Sequence, residues 1–251
     1  MSVFETRSHG LGEAKPGRIT ITSTRTEDMD PAKYASAHEA LRFVKKGMSV
    51  GLGTGSTAEI FIDLLGKKNA SEYLELCCIA TSKASEAQAL RLGMRLCGFD
   101  EIKKLDAAFD GADQVDWDLN LIKGLGGALV REKIVDYRAE KFYVMAGESK
   151  LVERLSGAIP VEVIPMAEEA VKRDLMELGA TKFETRKDGR RKFISDNSNL
   201  IVHAHFQSVE KPEKLEDEIN GIAGVVDNGI FAHKKPVVIV GRADGGTRIL
   251  R

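Results

Sequence analysis

The stretch Ser49-Val50-Gly51-Leu52-Gly53-Thr54-Gly55-Ser56-Thr57 decides the fold. Ser49–Leu52 reads as a short strand. The glycines after it allow tight backbone turns, and a helical apolar pattern then continues through Leu65. Ser56 and Glu59 have capping-box spacing at the helix entry. A strand that turns through glycine into a helix belongs to an alternating β/α architecture, and the rest of the chain extends that pattern.

Upstream, Asp30-Pro31 predicts a helix start, with a carboxylate N-cap and proline at the first helical position. Tyr34, Ala37, Leu41 and Val44 then mark one apolar face, Lys45 and Lys46 suit the C-terminal dipole, and Gly47 can close the helix. Downstream, strands are predicted at 76–80, 107–109 and 142–146, with helices near 85–92 and 129–139. The expectation is an α/β protein with a Rossmann-like, open and mostly parallel sheet.

The pattern changes after Gly157. A strand at 161–164 is followed by a helix marked by Val171, Leu175 and Leu178 and ended by Gly179. Strands at 181–186, 191–194 and Leu200–Phe206 come next, with Asp188-Gly189 as a hairpin turn. A helix over Pro212–Asn220 and a strand at 222–226 complete a β-α-β-β-α-β order, the ferredoxin-like α+β plan. A strand at 236–240 can return to the first sheet. The expected organisation is a Rossmann-like catalytic domain over 29–156 and 231–251 with a ferredoxin-like domain at 157–230. Residues 1–28 read as a flexible N-terminal arm.

Composition narrows the function. The 251 residues carry 37 Lys+Arg against 38 Asp+Glu, a formal net charge of −1. That balance argues against a nucleic-acid binder. With 43% hydrophobic residues an ordinary core can form, and no apolar run approaches membrane-spanning length. The three cysteines, Cys77, Cys78 and Cys97, lack metal spacing and predict a reducing compartment with no disulfide framework.

Three motifs carry candidate chemistry. In Gly53-Thr54-Gly55-Ser56-Thr57, glycines, hydroxyls and a helix N-terminus converge, which suits a phosphate monoester. The same loop serves equally well as a tight strand-to-helix turn. Asp110-Gly111-Ala112-Asp113 follows a strand, where an open sheet presents residues to its ligand crevice. Its carboxylates could receive sugar hydroxyls or exchange protons, although the motif alone reads slightly better as a solvated Asp-Gly turn. Lys123-Gly124-Leu125-Gly126-Gly127-Ala128 precedes a helix carrying Glu132. A base beside a cation is what proton abstraction next to a carbonyl requires, while a loosened turn with exposed lysines is the equal alternative.

Other features rank lower. Lys150 reads as a surface lysine near a helix start, Trp117 as packing and Cys97 as a small core residue. His203 and His205 share a strand face without a third ligand in spacing, which argues against a metal site.

Together and in this order, the motifs resemble the type A ribose-5-phosphate isomerase family. The resemblance runs over 50–57 (VGLGTGST), 110–113 (DGAD), 123–133 (KGLGGALVREK), 160–167 (PVEVIPMA), 196–199 (DNSN) and 224–231 (GVVDNGIF). The last two stretches read as structural turns. The resemblance implies interconversion of D-ribose 5-phosphate and D-ribulose 5-phosphate in the non-oxidative pentose phosphate pathway, without metal or organic cofactor.

By matching position, the resemblance implies that Glu132 moves the proton through a cis-enediolate. It also implies that Asp110 assists ring opening, Lys123 stabilises the enediolate and Asp113 holds substrate hydroxyls. Thr54, Gly55, Ser56 and Thr57 would contact the phosphate end, with Lys150 and Lys33. Gly111, Ala112, Gly124, Gly126 and Gly127 would line the sugar. A cytoplasmic homodimer or tetramer is implied, with no nucleic-acid or membrane partner.

Three positions depart from the family pattern: Leu125 where glycine is common, Gln114 after DGAD in place of an acidic residue, and Lys83 where an acidic residue is frequent. The rival readings are a related sugar-phosphate isomerase or deaminase, and a sugar-phosphate sensor domain. A sensor would be expected to have lost Asp110, Lys123 and Glu132, and all three are present.

Overall fold

The structure is a computed structural model that describes residues 30–251, so the arm expected at 1–28 lies outside the described residues. The first half of the chain runs through α1 (Pro31–Ala40), β1 (Ser49–Leu52), α2 (Ser56–Glu72), β2 (Cys77–Ala80) and α3 (Lys83–Arg91). It continues with β3 (Leu105–Gly111), β4 (Gln114–Val115), β5 (Leu121–Ile122), α4 (Leu129–Arg138) and β6 (Ala139–Gly147). A second group follows: β7 (Gly157–Val163), α5 (Glu168–Glu177), β8 (Lys182–Thr185), β9 (Lys187–Asp188) and β10 (Arg191–Lys192). After β11 (Leu200–Phe206), α6 (Pro212–Asn220) and β12 (Val225–Asn228), the chain returns through β13 (Ile230–Phe231), β14 (Val237–Gly241) and β15 (Thr247–Leu250).

Six strands form the main sheet in the order β15-β14-β6-β3-β1-β2, parallel except for β15 against β14. β3 lies inside the sheet and is covered on both faces, which explains its unbroken Ala107-Ala108-Phe109 core. One apolar layer packs Phe61, Ile62 and Leu65 of α2 against Leu52 and Phe109. The opposite layer gathers Ala108, Val135, Phe142 and Val144. The second group forms a four-stranded antiparallel sheet, β12-β7-β11-β8, with its own core of Val161, Val171, Leu175, Val202 and Ile219. A small β13-β5-β4 sheet sits beside both.

Chain order sets the crevice. From β1 the chain moves to β2 on one side, then crosses to β3 on the other. A ligand crevice opens past the strand ends where that reversal occurs. The loop after β1 and the end of β3 both lie there.

Several local expectations change. The first helix stops at Ala40, a short 3-10 turn covers Leu41–Phe43, and Tyr34 is exposed because the buried face is Ala35, Ser36, Ala37 and Ala40. Asp30 caps this helix through Ala32 N (2.9 Å). The capping box at Ser56 and Glu59 does not form: Gly55 is the N-cap and α2 has no side-chain cap, which leaves the Ser56 hydroxyl uncommitted. The third strand of the second group shrinks to Arg191–Lys192, paired only with β9 in a hairpin.

Cys77 and Cys97 form a disulfide (Cα–Cα 5.7 Å), against the expectation of none. The segment after α3 runs beside β2, where Cys97 N donates to Cys78 O, and strand alternation points Cys77 away from buried Cys78. Cys78 stays reduced, its thiol pushed up to about 12 by burial. Trp117, expected to pack, is 59% exposed.

Gly53 joins the sheet to the crevice. A Cβ there would lie 2.1 Å from Asp110 Oδ1 and 2.6 Å from Asp110 Cα. Gly53→Ala should therefore push β1 from β3, lowering stability by about 1–3 kcal/mol in urea unfolding and reducing kcat through the displaced Asp110.

Candidate active site

The β1–α2 loop contributes backbone and hydroxyl donors to the crevice. Thr54 N donates to Asp110 Oδ1 (3.0 Å), so the loop is tied to the end of β3. The Thr54 hydroxyl turns inward to Thr81 Oγ1 (2.6 Å) and Ser82 Oγ (2.9 Å), and Ser85 Oγ donates to Gly53 O (2.6 Å). This hydroxyl group, absent from the sequence reading, fixes the loop and leaves Ser56 and Thr57 in the first turn of α2 facing the cleft.

The small sheet delivers the cation. Lys123 follows β5, and its N–H donates to Gly229 O (2.9 Å) beside β13. Gly124 then takes φ +87, and a Cβ there would lie 2.3 Å from Leu129 Cβ, so only glycine allows α4 to start so close. α4 in turn places Glu132 and Asp136 one turn apart on the same side.

The result is a buried charge cluster. Lys123 Nζ donates to Gly111 O (2.6 Å) and lies 2.8 Å from Asp110 Oδ2, 3.3 Å from Glu132 Oε2 and 3.7 Å from Asp136 Oδ2. The Phe231 ring sits 5.4 Å from the ammonium. All four charged side chains are buried.

Above this cluster a cleft of about 130 Å³ is lined by Thr54, Gly55, Ser56, Thr57, Gly111, Ala112, Asp113, Lys123, Gly124, Gly126 and Glu132. Lys33 from α1 and Lys150 from the turn after β6 close its far side. Neither lysine is paired with a carboxylate among the described residues. A wider hollow of about 410 Å³ continues outward past Lys33, Thr57, Ala112 and Lys150. Hydroxyls, a helix N-terminus and two ammonium groups thus stand at one end, and a carboxylate against a buried ammonium at the other.

Residues 77–245 match the family model of ribose 5-phosphate isomerase A (phosphoriboisomerase A). The ribose-5-phosphate isomerase A of Thermococcus kodakarensis is 44% identical over 230 residues, covering 89% of this chain and 100% of its own length. The chain belongs to the ribose 5-phosphate isomerase A family. The enzyme of that name from Gluconobacter oxydans is 44% identical across 87% of this chain and 96% of its own. The solved ribose 5-phosphate isomerase A from Methanocaldococcus jannaschii superposes with a TM-score of 0.83 at 44% identity, covering 87% of this chain and 97% of that one. A D-ribose-5-phosphate isomerase solved in complex with phospho-erythronic acid gives a TM-score of 0.83 at 40% identity, with the same coverage of each chain.

Two site residues of this isomerase differ from the contact expected of them. Asp110 has no exposed surface: its Oδ1 accepts from Thr54 N and Gly111 N (2.7 Å) and its Oδ2 faces Lys123, so it reaches the cleft only through those groups. Gly127 packs against protein, since a Cβ there would lie 2.8 Å from the Phe193 ring, and it does not line the cleft. Asp113 does line it, and accepts from Leu125 N (3.1 Å). Lys150, a surface lysine by its sequence setting, is on the cleft. The Lys83 main-chain N–H donates to Asp196 Oδ2 (2.8 Å), so that departure is used through its backbone. Among the described residues no His/Cys/Asp/Glu group is arranged to hold a metal, and no helix is long and apolar enough to cross a membrane.

Burial dominates the electrostatics. It pushes the Glu132 carboxyl up to about 8; Asp110 and Asp113 push the same way and Lys123 opposes them. Burial also raises Asp136 well above the ordinary carboxylate value, with Asp110 adding to the effect. For Lys123 burial disfavours the charge, but Asp110, Glu132 and Asp136 outweigh it and hold the ammonium firmly protonated.

The family isomerase should therefore depend on this ammonium for folding as well as chemistry. Lys123→Met leaves three buried carboxyl groups without their cation and should lower stability by about 3–5 kcal/mol near neutral pH. Burial would then hold the Glu132 and Asp136 carboxyls above their unfolded values with no cation to oppose it. The loss should be small below the unfolded carboxyl range and grow as pH rises through it, which urea titrations at several pH values would read.

Proposed function

We propose that Glu132 carries the proton between C1 and C2 of the sugar in an isomerase that interconverts D-ribose 5-phosphate and D-ribulose 5-phosphate. The observation that carries this reading is that Glu132 lines the cleft 3.3 Å from a buried ammonium, opposite a set of hydroxyl and ammonium donors suited to phosphate. The phosphate end would meet Ser56, Thr57, the N-terminus of α2, Lys33 and Lys150. That orientation puts C1 and C2 at the Glu132–Lys123 end. The relative solved in complex with phospho-erythronic acid holds a phosphorylated sugar acid, a ligand with both a phosphate and a carboxyl group. The cleft of this chain offers positive groups at both ends.

The reaction needs one base and one electrophile. In the open-chain aldose, Glu132 takes the proton from C2, and the C2–H electron pair forms the C1–C2 double bond while O1 becomes the enediolate oxygen. The Lys123 ammonium, and N–H donors of the 124–127 loop, would hold that charge. Glu132 then returns its proton to C1, and a proton passes from O2 to O1, leaving the carbonyl at C2. Asp113 is the lining carboxylate placed to exchange hydroxyl protons, and Asp110 keeps Lys123 oriented. A carboxyl with its pKa near 8 is a stronger base than an ordinary glutamate once ionised.

A homo-oligomer working in the cytoplasm, without metal or organic cofactor, completes this reading. The main-sheet domain (29–156 and 231–251) would hold the substrate, and the 157–230 domain would support α4 from behind.

Ser56→Ala combined with Thr57→Ala should raise KM for ribose 5-phosphate more than it lowers kcat, because phosphate contacts are similar in ground and transition states. An unchanged KM would move the phosphate elsewhere. Glu132→Gln should keep the fold and calorimetric substrate binding but lower kcat by about 10²–10⁴. In the wild type, kcat/KM should fall on the acidic side as Glu132 takes up its proton, with a limb displaced upward toward about 8. A variant isomerising at near wild-type rate would transfer the base role to Asp113.

A further inference from the structure

Asp136 is fully buried in α4 and has no part in the steps above. Its carboxyl faces that of Asp110, and its Oδ2 lies 3.7 Å from Lys123 Nζ. Neither Asp136 oxygen receives a hydrogen bond from any described group. Asp110 is supplied differently, with N–H donors from Thr54 and Gly111 and the Lys123 ammonium at 2.8 Å. Lys234, the other ammonium near Asp136, is directed instead to the carbonyls of Tyr137 (3.0 Å) and Ala139.

Two facing carboxylates in a site closed to water repel, whereas a carboxyl and a carboxylate share a hydrogen bond. Charge balance leads the same way. Asp110, Glu132 and Asp136 converge on one ammonium, so full ionisation would strand buried negative charge. Glu132 and Asp136 both lack hydrogen-bond donors, but Glu132 lines the cleft and lies nearer Lys123, so the sealed and more distant Asp136 is the one that keeps the proton.

We propose that Asp136 is a positioning residue that retains a proton beneath the cleft and donates it to Asp110, leaving the single Lys123 ammonium to hold Asp110 and steer Glu132. The kinetic consequences rest on Glu132 being the base; the protonation itself does not.

Infrared spectra of the whole enzyme provide the direct test. Above the Glu132 midpoint, the difference between wild type and Asp136→Asn should contain the carbonyl stretch of a protonated carboxylic acid. Absence of that band overturns the proposal.

Kinetics provide the second arm. Asp136→Asn keeps a neutral donor of the same shape, so kcat should stay within about threefold and the acidic limb of kcat/KM should not move. Asp136→Leu offers no donor, so Asp110 loses that hydrogen bond and its hold on Lys123, and through it on Glu132, loosens. Its kcat should drop about tenfold or more at similar KM, a loss that the isosteric Asp136→Asn does not show. If Asp136→Asn shifts the limb downward instead, Asp136 is charged in the wild type and the proposal fails. A fully active Glu132→Gln would sink the base assignment and leave the infrared band in place, so the two readings fail separately.

Discussion

One ammonium held among three buried carboxyl groups is the constraint on which the site depends. A buried cation without partners is strongly disfavoured, and buried carboxylates without a cation equally so. The fold has to bring them from separate places: Asp110 from the end of β3, Lys123 from the loop after β5, Glu132 and Asp136 from α4. The close approaches at Gly53 and Gly124 follow from that demand, since a side chain at either would force the partners apart.

The second group contributes through the two α4 residues that flank Glu132. Arg131 Nε donates to Asn197 Oδ1 (2.8 Å), and Lys133 pairs with Asp227 (2.7 Å) and Glu216 (2.8 Å). Glu132 lies between these two anchors. The 195–199 turn is itself held by buried Glu162, whose Oε1 accepts from Ser195, Asn197 and Asn199. Glu132 is thus anchored through both neighbours by a part of the protein that does not line the cleft.

What could be read in the sequence was local chemistry repeated at the right places. The glycine-hydroxyl loop, the Asp pair after a strand and the Lys-Gly-Gly-Glu run each offered a chemistry in neighbouring residues, beside a plain turn as the alternative, and members of all three line one cleft. What depends on distant partners was hidden. Asp136 looks like any helix aspartate until α4 meets β3, although its spacing of four from Glu132 was a usable signal. The sealing of Asp110 follows from the Gly53 contact across two strands. The Cys77–Cys97 bond depends on a segment lying beside β2 that no periodicity announces, and Trp117 shows that a lone aromatic says little about burial.

Leu125 is held at the rim of the cleft by its main chain alone. Its N–H donates to Asp113 Oδ2 (3.1 Å), and its carbonyl accepts from Arg186 Nη1 (2.5 Å), while the side chain is 37% exposed. Both contacts are blind to side-chain identity. Position 125 is therefore a point where the enzyme's surface can diversify without disturbing the groups beneath.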